Sequence, residues 1–383
     1  MSGMFLRLMC TAALAAGAVL APVPAAAVPE PGGGTGERGV ADLLTELQTL
    51  YREAEKATET YNATEERLKR QRAETVRLDR ALARTRTSLR DSRGAAGRLA
   101  RQQYQSVTGI SPYVRLLLAR DPQHALDQGH VIGRLARERA ETVGRLTGDE
   151  KEAGALARRA REALARQLAL TERRKEQRDE VGERLRSVEA LLASLTPGQL
   201  AALAELERAN VAEAQDALVT SGALGAGGAP SAAGERAVRY AVEQLGKPYE
   251  WGAEGPAAYD CSGLTSEAWG AAGTPIPRTS QEQWARLERV PLTELRPGDL
   301  VVYFPEATHV ALYLGDGMVV QAPRPGARIK VSPVAANPVL GAVRPDPDGE
   351  PLRRYVPPEL PEGVTEGSDE GYDAGQAPET SAR

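Results

Sequence analysis

From Leu43 the apolar residues step by four and three: Leu43, Leu47, Leu50, Ala54, Ala57, Tyr61, Thr64 and Leu68. The same register continues through Leu78, Leu82, Leu89, Ala96 and Leu99. Glu, Arg, Gln and Thr fill most of the positions between. A heptad seam of this length predicts a coiled-coil arm. At 1.5 Å per residue a 60-residue stretch is about 90 Å long. The pattern breaks at residues 105–123, where Gly109, Pro112 and Pro122 interrupt and Tyr113, Val114, Leu116, Leu117 and Leu118 form an apolar cluster. It resumes near Ala125 and, after Pro197-Gly198, ends near Leu218. Two long helices around a break predict an antiparallel hairpin over residues 38–218. A parallel homodimer stays open, because seam residues do not fix orientation. The arm is a spacer or oligomerisation rod, or else it binds a protein partner or inhibits, with Leu116–Leu118 as a contact. His124 and His130, near the break, read as surface or packing residues.

The composition fits such a division. The chain has 383 residues, with 48 basic and 52 acidic side chains and a formal net charge of −4, so it lacks the basic excess of a nucleic-acid binder. Two cysteines exclude a disulfide scaffold and a Cys-based zinc cluster. Residues 1–27 read as a signal peptide: Arg7, an apolar run from Leu8 to Leu20, then Ala25-Ala26-Ala27. The run is shorter than the roughly 20 residues that span a bilayer. The mature chain is therefore expected to be exported, with no membrane span, and Cys261 is then its only thiol. Residues 219–234, rich in Gly, Ala and Ser, read as a flexible linker. Residues 345–383, acidic and rich in Pro and Gly, read as a disordered tail.

Residues 235–344 are left for one small core. Ala237, Val238, Ala241 and Leu245 share a helical face, and a second helix is predicted from Asp260 to Ala272. After Pro297-Gly298-Asp299 the pattern becomes short apolar runs at 300–304, 309–314, 318–321 and 328–331, with a hairpin turn at Gly315-Asp316-Gly317. Helices first and strands later predict an α+β fold with helices packed on an antiparallel sheet.

Cys261 falls at a predicted helix start, where first-turn amides and the helix dipole favour a thiolate. His309, the module's one histidine, opens a strand. Such a pair needs a third polar group to orient the imidazole. Strand pairing across the 315–317 turn offers Gln321.

Four blocks then carry a resemblance. Tyr249-Glu250-Trp251-Gly252 with Tyr259-Asp260-Cys261-Ser262-Gly263-Leu264 resembles the nucleophile motif of the NlpC/P60 family. Pro277-Arg278-Thr279-Ser280, Arg296-Pro297-Gly298-Asp299-Leu300 and His309-Val310-Ala311-Leu312-Tyr313-Leu314-Gly315 resemble its later blocks, in order. Ala253 and Tyr259 are mild departures. The resemblance implies a papain-like cysteine peptidase acting on peptidoglycan stem peptides, with Cys261 as nucleophile, His309 as base and Gln321 in the third position. It implies that the bond cut is γ-D-Glu to the diamino acid, with a muramoyl-L-alanine amidase and a non-catalytic wall-binding scaffold as alternatives. It implies substrate contacts at Tyr249, Asp260, Ser262 and Ser280. Capping by Asp260 and Ser262 and solvation of Ser280 are the plain structural alternatives. The chemistry calls for no metal or cofactor. The long arm joined by a short tether also raises the expectation that the arm folds over the groove near Cys261.

Overall fold

The computed structural model describes residues 39–106, 112–118, 121–225 and 227–361. The expected signal peptide lies outside the described residues, as does the tail beyond residue 361. No described helix is long and apolar enough to cross a membrane.

The arm is a helical hairpin. Helix α1 spans Val40–Ser106, α2 is a short helix at Pro112–Leu117, and α3 spans Pro122–Ala193. Asp121 caps α3 by accepting from the amide of His124, and Pro122 sits where an amide proton is not needed. The cross-links run antiparallel: Arg93 reaches Glu150, Gln71 the carbonyl of Ala163, Glu65 Arg174 and Glu53 Arg184. Leu43, Leu44, Leu47 and Tyr51 pack with Val188, Leu191 and Leu192 at the root of the hairpin. At the other end Val114, Leu117 and Leu118 are exposed and Leu116 is half-buried. His124 and His130 are exposed.

Helix α4, Pro197–Thr220, turns the chain back, started by a capping box between Thr196 and Gln199. It runs alongside the module: the Gln215 amide group donates to the Gly317 carbonyl and accepts from the Ala335 amide. The next residues, expected as a free tether, lie against the same surface. Leu224 packs beside Leu295 and Val319, and the Gly228 amide donates to the Leu295 carbonyl.

The module carries α5 (Ala232–Glu243), α6 (Cys261–Ala271) and α7 (Ser280–Arg286) and six strands: β1 (Glu288–Val290), β2 (Leu300–Tyr303), β3 (His309–Gly315), β4 (Met318–Gln321), β5 (Lys330–Pro333) and β6 (Val339–Arg344). The sheet is antiparallel throughout, in the order β1-β6-β2-β3-β4-β5. One face, with Leu300, Val302, Val310, Leu312 and Val320, packs against Val238 and Ala241 of α5 and Leu264, Ala268 and Trp269 of α6. The other, with Val301, Tyr303, Ala311, Tyr313 and Val319, packs against Leu218 of α4. The α+β arrangement is as expected. Strands β1 and β6 and helix α7 were not legible: β1 has three residues, and β6 is interrupted by Gly341 and lies beyond a proline-containing loop. The first residues of the expected tail are held to the module, because Arg296 pairs with Asp346 and donates to the Gly349 carbonyl.

Candidate active site

Asp260 starts the site. Its Oδ1 accepts from the Gly263 amide at 2.7 Å and caps α6, which puts Cys261 at the first helical position. Its Oδ2 accepts from the Gly252 amide and from Arg278 Nη2, at 2.9 and 2.8 Å. Arg278 in turn donates to Ser262 Oγ at 2.8 Å and pairs with Glu254. Gly263 is needed here: a Cβ would lie 2.2 Å from the Ala253 carbonyl oxygen.

His309 opens β3. The register that pairs Leu312 with Val320 sets Gln321 opposite Ala311, diagonal to His309 on the same sheet face. Nε2 of His309 meets Gln321 Oε1 at 2.7 Å. With the amide oxygen as acceptor, that nitrogen carries the proton, and Nδ1 is the basic one. The Tyr249 hydroxyl is buried and held neutral, by desolvation first and then by nearby Cys261 and Asp260.

The groove is filled by α1. Glu59 Oε1 accepts from Ser262 Oγ at 2.6 Å and lies 4.0 Å from Cys261 Sγ; Oε2 accepts from the Ser280 amide at 2.8 Å. Asn62 donates to Asp260 Oδ2 at 2.9 Å. Glu55 Oε1 lies 3.2 Å from His309 Nδ1, a charge pairing rather than an aligned hydrogen bond. Tyr61 stands edge-on to Trp251, and Lys69 pairs with Glu254. With α1 in place Cys261 is 2% and His309 0% exposed.

Cys261 and His309 thus touch carboxylates one helical turn apart on α1, roughly 6 Å along its axis. Each also feels the other's carboxylate: Glu55 acts on the thiol and Glu59 on the imidazole. Burial pushes the Cys261 thiol well up, and Glu59, Asp260 and Glu55 add to this. Burial alone would lower the His309 imidazole, but Glu55 and the hydrogen bonding around the ring outweigh it and the net shift is upward. Glu59 is pushed up to about 7, by burial first and then by Asp260, against the pull of Arg278 and its hydrogen-bond donors.

All seven residues singled out in the sequence lie in the module around this groove. Asp260 is a cap, as the plain alternative has it, and also the acceptor for Asn62. Ser262 and Ser280 hold a carboxylate, Ser280 through its backbone amide. Sequence reasoning missed Arg278 as a site residue, although it stands in a quoted motif block. It also missed Glu55, Glu59 and Asn62. Their spacing of four and three reads as the solvated face beside a seam, and nothing local distinguishes it from one.

A thiol at a helix start and an imidazole on a neighbouring strand define a papain-like module. Residues 246–341 match the model of the NlpC/P60 family, so this chain carries an NlpC/P60 domain. A probable endopeptidase of Corynebacterium glutamicum is 46% identical over 107 residues, 28% of this chain and 51% of that protein. The peptidoglycan endopeptidase RipA of Mycolicibacterium smegmatis is 36% identical over 129 residues, 29% of this chain and 26% of that one. Among solved structures, the NlpC/p60 domain of the peptidoglycan hydrolase SagA is 31% identical, with 29% of this chain and 97% of that chain covered and a TM-score of 0.28. The chain spans about half the length of the curated relatives it matches, or less.

Proposed function

We propose that this chain is an exported, cell-wall-associated cysteine peptidase that cuts peptidoglycan stem peptides, at the bond between γ-D-Glu and the diamino acid. The observation that carries the reading is the 2.7 Å contact of His309 Nε2 with Gln321 Oε1, which leaves the basic Nδ1 beside the groove that holds the Cys261 thiol. The relatives named as endopeptidases support the substrate class.

In the open groove Cys261, as thiolate, attacks the amide carbonyl and forms the acyl-enzyme. First-turn amides of α6 and the neutral Tyr249 hydroxyl hold the oxyanion. The imidazolium gives its proton to the leaving amine, then the neutral imidazole takes a proton from water for deacylation. Gln321 keeps the ring in one tautomer. It brings no charge, so it stabilises the imidazolium less than a carboxylate would. Glu55 cannot serve as that carboxylate, because it occupies the ring nitrogen that must meet the thiol.

The experiment is digestion of purified peptidoglycan with the chain and its Cys261→Ala variant, followed by mass spectrometry. Fragments ending in γ-D-Glu that need Cys261 support the endopeptidase. Release of intact stem peptides would show an amidase instead. No product under conditions where the groove is open would leave a wall-binding module.

A further inference from the structure

The far end of the arm takes no part in that chemistry. Leu117 is 83% exposed, Leu118 66% and Leu126 64%, and Val114 and Tyr104 are exposed as well. Helix α2 packs on α3, so Val114, Leu117, Leu118 and Leu126 share one end of the hairpin. The packing there does not take them in. Between residues 86 and 152 no described side chain is buried, whereas the root of the hairpin buries Leu43, Leu47 and Val188. Large apolar side chains left together in water mark a contact surface.

Charge shows what that surface fits. From Ser92 to Arg137 the sequence has seven arginines, no lysine and two acids, Asp121 and Asp127, in a chain whose net charge is −4. Arg98, Arg101, Arg134 and Arg137 are exposed. The antiparallel register, continued from the Arg93–Glu150 contact, sets Arg137 level with the end of α1 at Ser106. Leu126 lies about 16 Å farther out along α3. The leucines thus stand beyond the arginines, not among them. A bilayer is layered in that order, phosphates first and hydrocarbon deeper, and interfacial helices reach about 5–10 Å into it. An acidic protein surface matches the charge but not the layering. A second copy matches neither, because two such ends repel each other.

We infer that the far end of the arm docks on an anionic lipid surface, with Val114, Leu117, Leu118 and Leu126 entering the headgroup region and Arg98, Arg101, Arg134 and Arg137 meeting the phosphates. The contact is with the surface alone, since no described helix is long and apolar enough to cross. Docked in this way the arm is a spacer. Lys69 of α1 touches the module through Glu254, and the helix ends at Ser106, roughly 37 residues and about 55 Å later. That length is the greatest distance at which the arm beyond Lys69 holds the module from the bilayer. The inference goes beyond the peptidase reading and does not rest on it.

The test is co-sedimentation of the chain beginning at Val28 with vesicles of phosphatidylglycerol and phosphatidylcholine, or of phosphatidylcholine alone. Residues 1–27 are left out because their own apolar run would enter a bilayer. We expect binding to the anionic vesicles that weakens with added salt, and much less to the neutral ones. Leu117→Ser with Leu118→Ser should lower it about tenfold or more. Arg98→Gln with Arg101→Gln should lower it about fivefold for each arginine removed. All four positions are exposed, and circular dichroism checks that the variants fold. Hydrolysis of a soluble stem peptide should be the same in all of them, so its absence would sink the peptidase and leave the docking standing. Wild-type chain that stays in the supernatant overturns the inference, as does binding that the leucine variant retains in full. A dimer that the leucine variant loses, with no vesicle binding, would assign the surface to a second copy instead.

Discussion

Glu59 of α1 accepts a hydrogen bond from Ser262 Oγ at 2.6 Å, across 203 positions of sequence, beside the thiol of Cys261. The residue next to the proposed nucleophile is thus held by a helix that carries none of the proposed catalytic groups. This contact is one of several that join the arm to the site, with Asn62 on Asp260 and Glu55 beside His309, and variants at either end of it should report on both.

Removing the proposed catalytic groups from a chain with Glu59→Ala separates their roles. Cys261→Ala should abolish hydrolysis of the stem peptide. His309→Ala should lower turnover by about 10²–10⁴-fold, the usual share of a general acid–base group. Gln321→Ala should lower it less, since it positions the ring and transfers no proton. Its pH–rate profile should shift with the imidazole, which a purely structural loss would not produce. Equal losses for all three in steady-state assays would argue for misfolding, which circular dichroism would show.

Docking of the arm should weaken as pH rises. Glu59 goes from an ordinary value of 4.5 to about 7 when buried against Asp260, Arg278, Ser262 and the Ser280 amide. His309, facing Glu55 and Gln321, is also raised above its ordinary 6.5. Each docked group holds a proton that the undocked group releases. The stabilisation is therefore complete below the undocked values and is lost as pH climbs through the docked ones. Trp251 meets Tyr61 of α1, so its fluorescence reports release. Release should grow between about pH 5 and 8. Growth on acidification would contradict the assignment.

Arg278→Ala should destabilise the module. It leaves Asp260, fully buried, without its cation. Breaking a buried pair from one side costs about 3–5 kcal/mol. Urea unfolding of the Cys261→Ala background measures this without interference from activity, and a change below about 1 kcal/mol would show that Asp260 finds other partners.

Gly263→Ala should damage the site through the backbone. The new methyl group would overlap the Ala253 carbonyl oxygen, and that carbonyl accepts from the Asp260 amide. Either α6 moves, carrying Cys261 with it, or the turn at 250–254 does. We expect a lower melting temperature and a loss of turnover in the same variant. Unchanged turnover would mean that the turn yields and the helix start does not.

Local pattern was enough to specify the arm, because a heptad seam has one main use, and enough to specify the α+β module, because its helix and strand periods are clean. The NlpC/P60 resemblance and its candidate residues were legible for the same reason: Asp260-Cys261 and His309 are local signals at the start of a helix and of a strand. The break between the long helices already suggested an antiparallel hairpin; the choice over a parallel homodimer, and the side chains by which the first helix sits in the groove, came from packing in three dimensions. Glu55, Glu59 and Asn62 are acidic and amide residues on an exposed-looking helix face. Their meaning comes from receptors about 200 residues away in the chain. Pairings at that distance are set by packing of whole elements, and no local pattern encodes them.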